Sequence, residues 1–103
     1  MGSLTAVDVY ILLSLADGER HGCGILREVS ASTGRRVVLG PGTLYGAINS
    51  LLAAGLIEES GQRSDPSLND EPRRYYRLTS QGLRAAKMNR PAWTEVLLLP
   101  HPA

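Results

Sequence analysis

The stretch richest in chemistry is Arg73-Arg74-Tyr75-Tyr76-Arg77, three guanidinium groups beside two phenols. A guanidinium is a permanently charged fork of donors that fits phosphate oxygens, and an aromatic ring beside it offers a stacking surface. In a strand, alternation sets Arg73, Tyr75 and Arg77 on one face and Arg74, Tyr76 and Leu78 on the other. Arg63 adds a cation that could reach a narrow minor groove. Asp65, Asp70 and Glu71 lie in the same stretch and dilute its potential. A soluble edge strand protected by charge has a similar composition, so this run gains meaning only beside a second element.

That second element begins at Pro41. Leu44, Ile48, Leu51 and Leu52 recur at i, i+4, i+7 and i+8, the spacing of one buried helix face. The opposite side then carries Thr43, Tyr45, Gly46, Asn49 and Ser50, a slim face of short polar groups and one aromatic hydroxyl. Such a face fits a major groove, where Asn can pair with adenine and Thr or Tyr can donate to phosphate. The amides of Gly42 and Thr43 stand at the helix start, where the positive dipole end favours an anion. An ordinary solvated helix looks alike in isolation, and the basic strand that follows tips the reading toward nucleic acid.

Other residues suggest less. His21 before Gly22 reads as a local capping or packing residue rather than a pH switch or ligand. Cys23 near a helix start reads as a small half-buried side chain rather than a redox sensor. One cysteine and two histidines cannot assemble a zinc site or an internal disulfide. There is no Ser-His-acid set, no paired carboxylates and no Lys-Ser/Thr after Gly40-Pro41-Gly42 to make a P-loop, so neither catalysis nor a cofactor is expected.

The elements needed to hold these groups can be traced along the chain. Thr5-Ala6-Val7-Asp8 has the form of a capping box, and Leu4, Val7, Ile11, Leu12 and Leu15 continue a first helix from Thr5 to Ala16, with Asp17-Gly18 as the stop. A second helix opens at His21-Gly22, faces inward with Ile25, Leu26 and Val29, and closes at Gly34. The β-branched run Arg35 to Leu39 predicts a short strand. The third helix starts at Pro41, which suits a first turn, and ends at Gly55. Strands are predicted at Leu56 to Ser60 and Arg73 to Thr79, joined by a polar loop from Gly61 to Pro72. Thr79 caps a fourth helix running to about Arg90.

A chain of 103 residues with 43% hydrophobic content suits one compact domain, and its formal charge of +1 excludes a histone-like polycation but not a local basic face. No apolar run is long enough to span a membrane, and the first residues lack the pattern of a signal peptide. The expected location is therefore the cytoplasm, to which the single cysteine also points.

The combination of Gly42-Thr43-Leu44-Tyr45 after a Pro, Leu51 through Gly55-Leu56-Ile57, Arg74-Tyr75-Tyr76-Arg77-Leu78-Thr79 with Gly82, and His21-Gly22 with Ile25 resembles the PadR family of transcriptional regulators. The resemblance covers about Leu4 to Arg90. It implies a dimeric winged-helix repressor that binds double-stranded operator DNA and can be released by a small-molecule inducer. It places Thr43 and Tyr45 on a recognition helix and Arg73, Arg74 and Arg77 on the wing, with one of Tyr75 and Tyr76 packed in the core under the first helix. Family members carry a long C-terminal helix or helices for dimerisation, whereas the segment after Pro91 is short. The dimer contact is therefore expected on the first helix, the fourth helix and Trp93 to Leu99, with Trp93 and Leu97 as its named residues, unless the chain is a shortened relative.

The expected architecture is mainly α with a small β-hairpin: a winged helix-turn-helix with a three-helix core, a wing and a C-terminal helix. Residues 1–90 form the DNA-binding domain and 91–103 a short tail. The expected function is a sequence-specific DNA-binding regulator, a homodimeric repressor on a pseudo-palindromic operator. The competing reading is a winged-helix module that binds a protein partner and no DNA.

Overall fold

The structure, a computed structural model, describes residues 4–65 and 69–88. These form α1 (Ala6–Ser14), β1 (Arg20–His21), α2 (Gly22–Ser32), α3 (Pro41–Ala53), β2 (Ile57–Asp65), β3 (Asn69–Leu78) and α4 (Ser80–Met88). The tail with Trp93 and Leu97 lies outside the described residues.

The capping box at the head of α1 is formed. The Asp8 amide donates to Thr5 Oγ1 at 3.1 Å and the Thr5 amide to Asp8 Oδ2 at 3.0 Å. The helix stops at Ser14, short of the expected Ala16, where the Leu15 and Ala16 amides bond three residues back, to the Leu12 and Leu13 carbonyls at 3.1 and 3.2 Å. Gly18, at φ 151°, then turns the chain toward the sheet. At the far end, Thr79 Oγ1 accepts the Gly82 amide at 3.1 Å and donates to the Gly55 carbonyl at 2.6 Å. One hydroxyl thus caps α4 and ties it to the end of α3.

The apolar stripes converge on one core. Ile11, Leu12 and Leu15 meet Ile25 and Val29 of α2, Leu44, Ile48 and Leu51 of α3, and Ile57, Tyr76 and Ala86. Each fully buried Leu or Ile contributes about 2 kcal/mol by leaving water. This burial orients α3, whose buried row at Leu44, Ile48 and Leu51 forces the opposite row outward. Of the two wing tyrosines, Tyr76 is the one in the core.

The sheet is antiparallel in the order β1-β3-β2. His21 faces Tyr75 and Arg20 faces Tyr76, while on the other side Glu58 faces Arg77 and Arg63 faces Arg73.

Two expectations are corrected. The short strand is Arg20–His21, not Arg35 to Leu39, so it precedes α2 instead of following it. Gly34 and Arg35 both take positive φ, 60° and 64°, and turn the chain out of α2. The Thr33 hydroxyl accepts the Val37 amide at 3.1 Å, and Val37 and Leu39 lean on the core while Val38 is exposed. The apolar run there belongs to a connector packed on one side, not to a paired strand. The predicted loop from Gly61 to Pro72 is also mostly sheet: β2 runs on to Asp65 and β3 begins at Asn69. Its polar composition reflects a hairpin projecting into water, with Gly61 at φ 144° beside a shift in register between Glu59 and Gly61.

Candidate nucleic-acid interface

Thr43, Tyr45, Gly46, Asn49 and Ser50 are all exposed along α3, as the helical spacing predicts. Gly42 precedes them in the first turn, after Pro41 at the helix start. Tyr45 and Asn49 share a cleft of about 310 Å³ with His21 of β1, Gly22 of α2 and Pro72, Arg73, Arg74 and Tyr76 of β3. The candidate reading face and the candidate phosphate grip thus meet along one groove.

Tyr45 is 47% exposed, and its ring lies across the first residue of α2. A Cβ added at Gly22 would stand 2.5 Å from Tyr45 Oη, so the glycine leaves room for the phenol. Burial pushes the Tyr76 phenol above its ordinary pKa, a shift opposed by the Arg74 guanidinium beside it. Tyr76 therefore serves the core with its ring while its polar end belongs to the groove.

The four candidate arginines of the wing differ in what they hold. Arg74 is exposed, and no carboxylate pairs with it in the ion pairs among the described residues. Arg73 is half-buried, donating from Nη1 to Cys23 Sγ at 3.4 Å, while its Nε is buried with no partner. Arg77 is paired with Glu58 at 2.6 Å. Arg63 is paired with Glu19 and its guanidinium carbon sits 4.0 Å above the Tyr75 ring centroid. The Ser60 hydroxyl and then Arg63 hold the Glu19 carboxyl below the ordinary Glu range.

The sequence reading missed Glu19 and Glu58. Glu58 is directly opposite Arg77, a relation visible only once the hairpin register is known. Glu19 reaches Arg63 from the turn before β1, so its pairing depends on tertiary structure rather than local spacing. Cys23, expected to be a half-buried small side chain, is one, with Arg73 as its neighbour. His21 is a helix cap, accepting the Gly24 amide on Nδ1 at 3.1 Å.

Two packed helices with an outward-facing second member, followed by a hairpin at its flank, define a winged helix-turn-helix protein. The particular family follows from sequence. This chain belongs to the Transcriptional regulator PadR-like family, whose profile matches residues 11–88. It is 40% identical over 91 residues to Transcriptional regulator Rv3488 of Mycobacterium tuberculosis (strain ATCC 25618 / H37Rv), covering 88% of this chain and 78% of that protein. It is similar to the structure of a transcriptional regulator from Clostridium thermocellum, with TM-score 0.70 and 28% identity over 86% of this chain and 83% of that one. A PadR family transcription regulator from hypervirulent Clostridium difficile R20291 shares the fold, with TM-score 0.70 and 24% identity over 89% and 91% of the two chains. Family and fold therefore agree with the resemblance read from the residues, and the protein is a PadR-family transcriptional regulator. No helix among the described residues is long and apolar enough to cross a membrane.

Proposed function

We propose that this regulator binds double-stranded DNA, with α3 entering the major groove and the wing gripping the flanking backbone. The observation that carries the reading is the groove in which Tyr45 and Asn49 face Arg73 and Arg74. Gly42, Thr43 and Ser50 complete the α3 surface, with Asn49 reading a base edge and the helix-start amides holding a phosphate. Arg74 is the leading phosphate ligand. Arg63 and Arg77 join only by exchanging Glu19 and Glu58 for phosphate oxygens.

The protein acts as a homodimeric repressor on a pseudo-palindrome whose half-sites lie about 34 Å apart, one turn of DNA. Trp93 and Leu97 supply the subunit interface, since Val96 to Leu99 would be unfavourable in water. A small-molecule inducer would act by changing the separation of the two α3 helices.

One observation favours the competing reading of a protein-binding module: carboxylates already occupy two wing arginines. Titration of the full chain into mixed-sequence duplex at low salt separates the two. DNA binding predicts a Kd tighter than about 10⁻⁴ M, the usual range of non-specific binding. A Kd weaker than about 10⁻³ M would favour the protein partner.

A further inference from the structure

Helix starts are usually capped by Ser, Thr, Asp or Asn, whose short side chains place one oxygen against a free amide. The cap of α2 is instead His21, whose Nδ1 accepts the Gly24 amide at 3.1 Å. A ring nitrogen that accepts carries no proton, so in the neutral ring the proton sits on Nε2. Nε2 lies 2.7 Å from Asp65 Oδ2, in position to donate. The two partners together dictate the tautomer.

Asp65 is the last residue of β2, at the far end of the wing, while His21 stands where β1 passes into α2. The imidazole is nearly sealed, its side chain 6% exposed. Tyr75 closes it from β3, edge-on at 5.2 Å between ring centroids and 80° between planes. Against the Tyr75 ring stacks the guanidinium of Arg63. A hydroxyl cap could hold Gly24 but has no second heavy atom for Asp65, and the NH2 of an Asn cap branches from the same carbon as its oxygen and falls short of the distance that an imidazole ring spans. Imidazole has two nitrogens on opposite edges, which is the geometric reason for histidine at this cap.

We infer that His21 is a positioning residue that ties the outer end of the wing to the first helix of the helix-turn-helix, so that wing and α3 meet DNA as one body. The inference rests on the DNA-binding reading above. It also explains a carboxylate on a surface that must approach phosphates. Asp65 alone repels DNA. As the acceptor for His21 it holds the wing in place, and removing it has opposite expected signs under the two roles.

The test uses the full chain and a mixed-sequence duplex of about two helical turns at low salt. His21→Asn keeps an oxygen for the Gly24 amide but cannot reach Asp65, so the helix start stays capped and the chain stays folded, with a thermal midpoint lower by about 5–10 °C, and binding is compared well below both midpoints. DNA binding weakens about tenfold, the scale of one charge-assisted hydrogen bond. Asp65→Ala weakens binding similarly although it removes a negative charge. Asp65→Asn keeps an oxygen that accepts from Nε2–H and binds within about threefold of the parent. Imidazole nitrogen-15 shifts in the parent and in Asp65→Asn show the proton on Nε2 and none on Nδ1. Binding by Asp65→Ala as tight as the parent, or an equal loss in Asp65→Asn, overturns the inference. If the parent itself binds no duplex, the DNA reading fails. The tie is then judged by hydrogen exchange: faster exchange of wing amides in His21→Asn supports it, and unchanged exchange overturns it.

Discussion

Glu19 decides what Arg63 can do. Its carboxyl holds the Arg63 guanidinium, while Ser60 and Arg63 together keep it ionised below the ordinary Glu range. Glu19→Gln should release Arg63 toward phosphate and remove a repelling charge. The expected result is DNA binding about threefold tighter, with a salt dependence steeper by about one neutralised phosphate. Electrophoretic or anisotropy titrations across a salt series check this. The pH dependence has a defined sign. Because the folded-state pKa of Glu19 is depressed, its contribution to stability is present above the ordinary Glu value and is lost as pH falls through the lowered one. Denaturation curves of the parent and Glu19→Gln should therefore differ at neutral pH and converge in acid. A constant gap across that range would remove Glu19 from the ion pair.

At the scale of elements, two glycines set close approaches that larger residues cannot keep. A Cβ at Gly82 would overlap the Leu56 carbonyl oxygen, a backbone atom that cannot step aside. Gly82→Ala should push α4 off the β2 entry and cost about 3 kcal/mol of stability, measured by denaturant unfolding. Gly22→Ala is different in kind, because the atom it meets is the far end of the Tyr45 side chain. Its stability should change by no more than about 1 kcal/mol, while DNA binding weakens as Tyr45 swings away from the groove. The elements themselves were largely readable from the residues: the Thr5 and Thr79 caps, Pro41 opening α3 and the Leu44–Ile48–Leu51 stripe are local signals, and all of them formed. The strand at Arg20–His21 was not readable, because a two-residue segment carries no periodicity and exists only by pairing with β3. The wing's length was hidden for a related reason, as its polar residues resemble a loop until the ladder is formed.

Across the whole molecule, net charge is a poor guide to function. The total of +1 conceals a groove with Arg73 and Arg74 on one wall and two wing arginines neutralised by Glu19 and Glu58. The candidate groove was legible in outline, since Tyr45, Asn49 and Arg74 stand out by spacing and type alone. What sequence could not supply was the division of labour among the arginines, because each ion pair joins segments distant in the chain. The same holds for the tie between His21 and Asp65, where capping was foreseen and the second bond was not. For binding as a dimer, sedimentation of the full chain should show a two-fold assembly, and Leu97→Asp should shift it to monomer and weaken operator binding through reduced avidity.

The most direct measurement is the salt dependence of duplex binding by the parent and by Arg74→Ala. If the groove between α3 and β3 grips the backbone, the slope of log K against log salt should flatten by about 0.9 in the variant, the value of a single neutralised phosphate. Affinity should fall on every sequence tested. Identical slopes and affinities for the two proteins would contradict DNA binding through this groove.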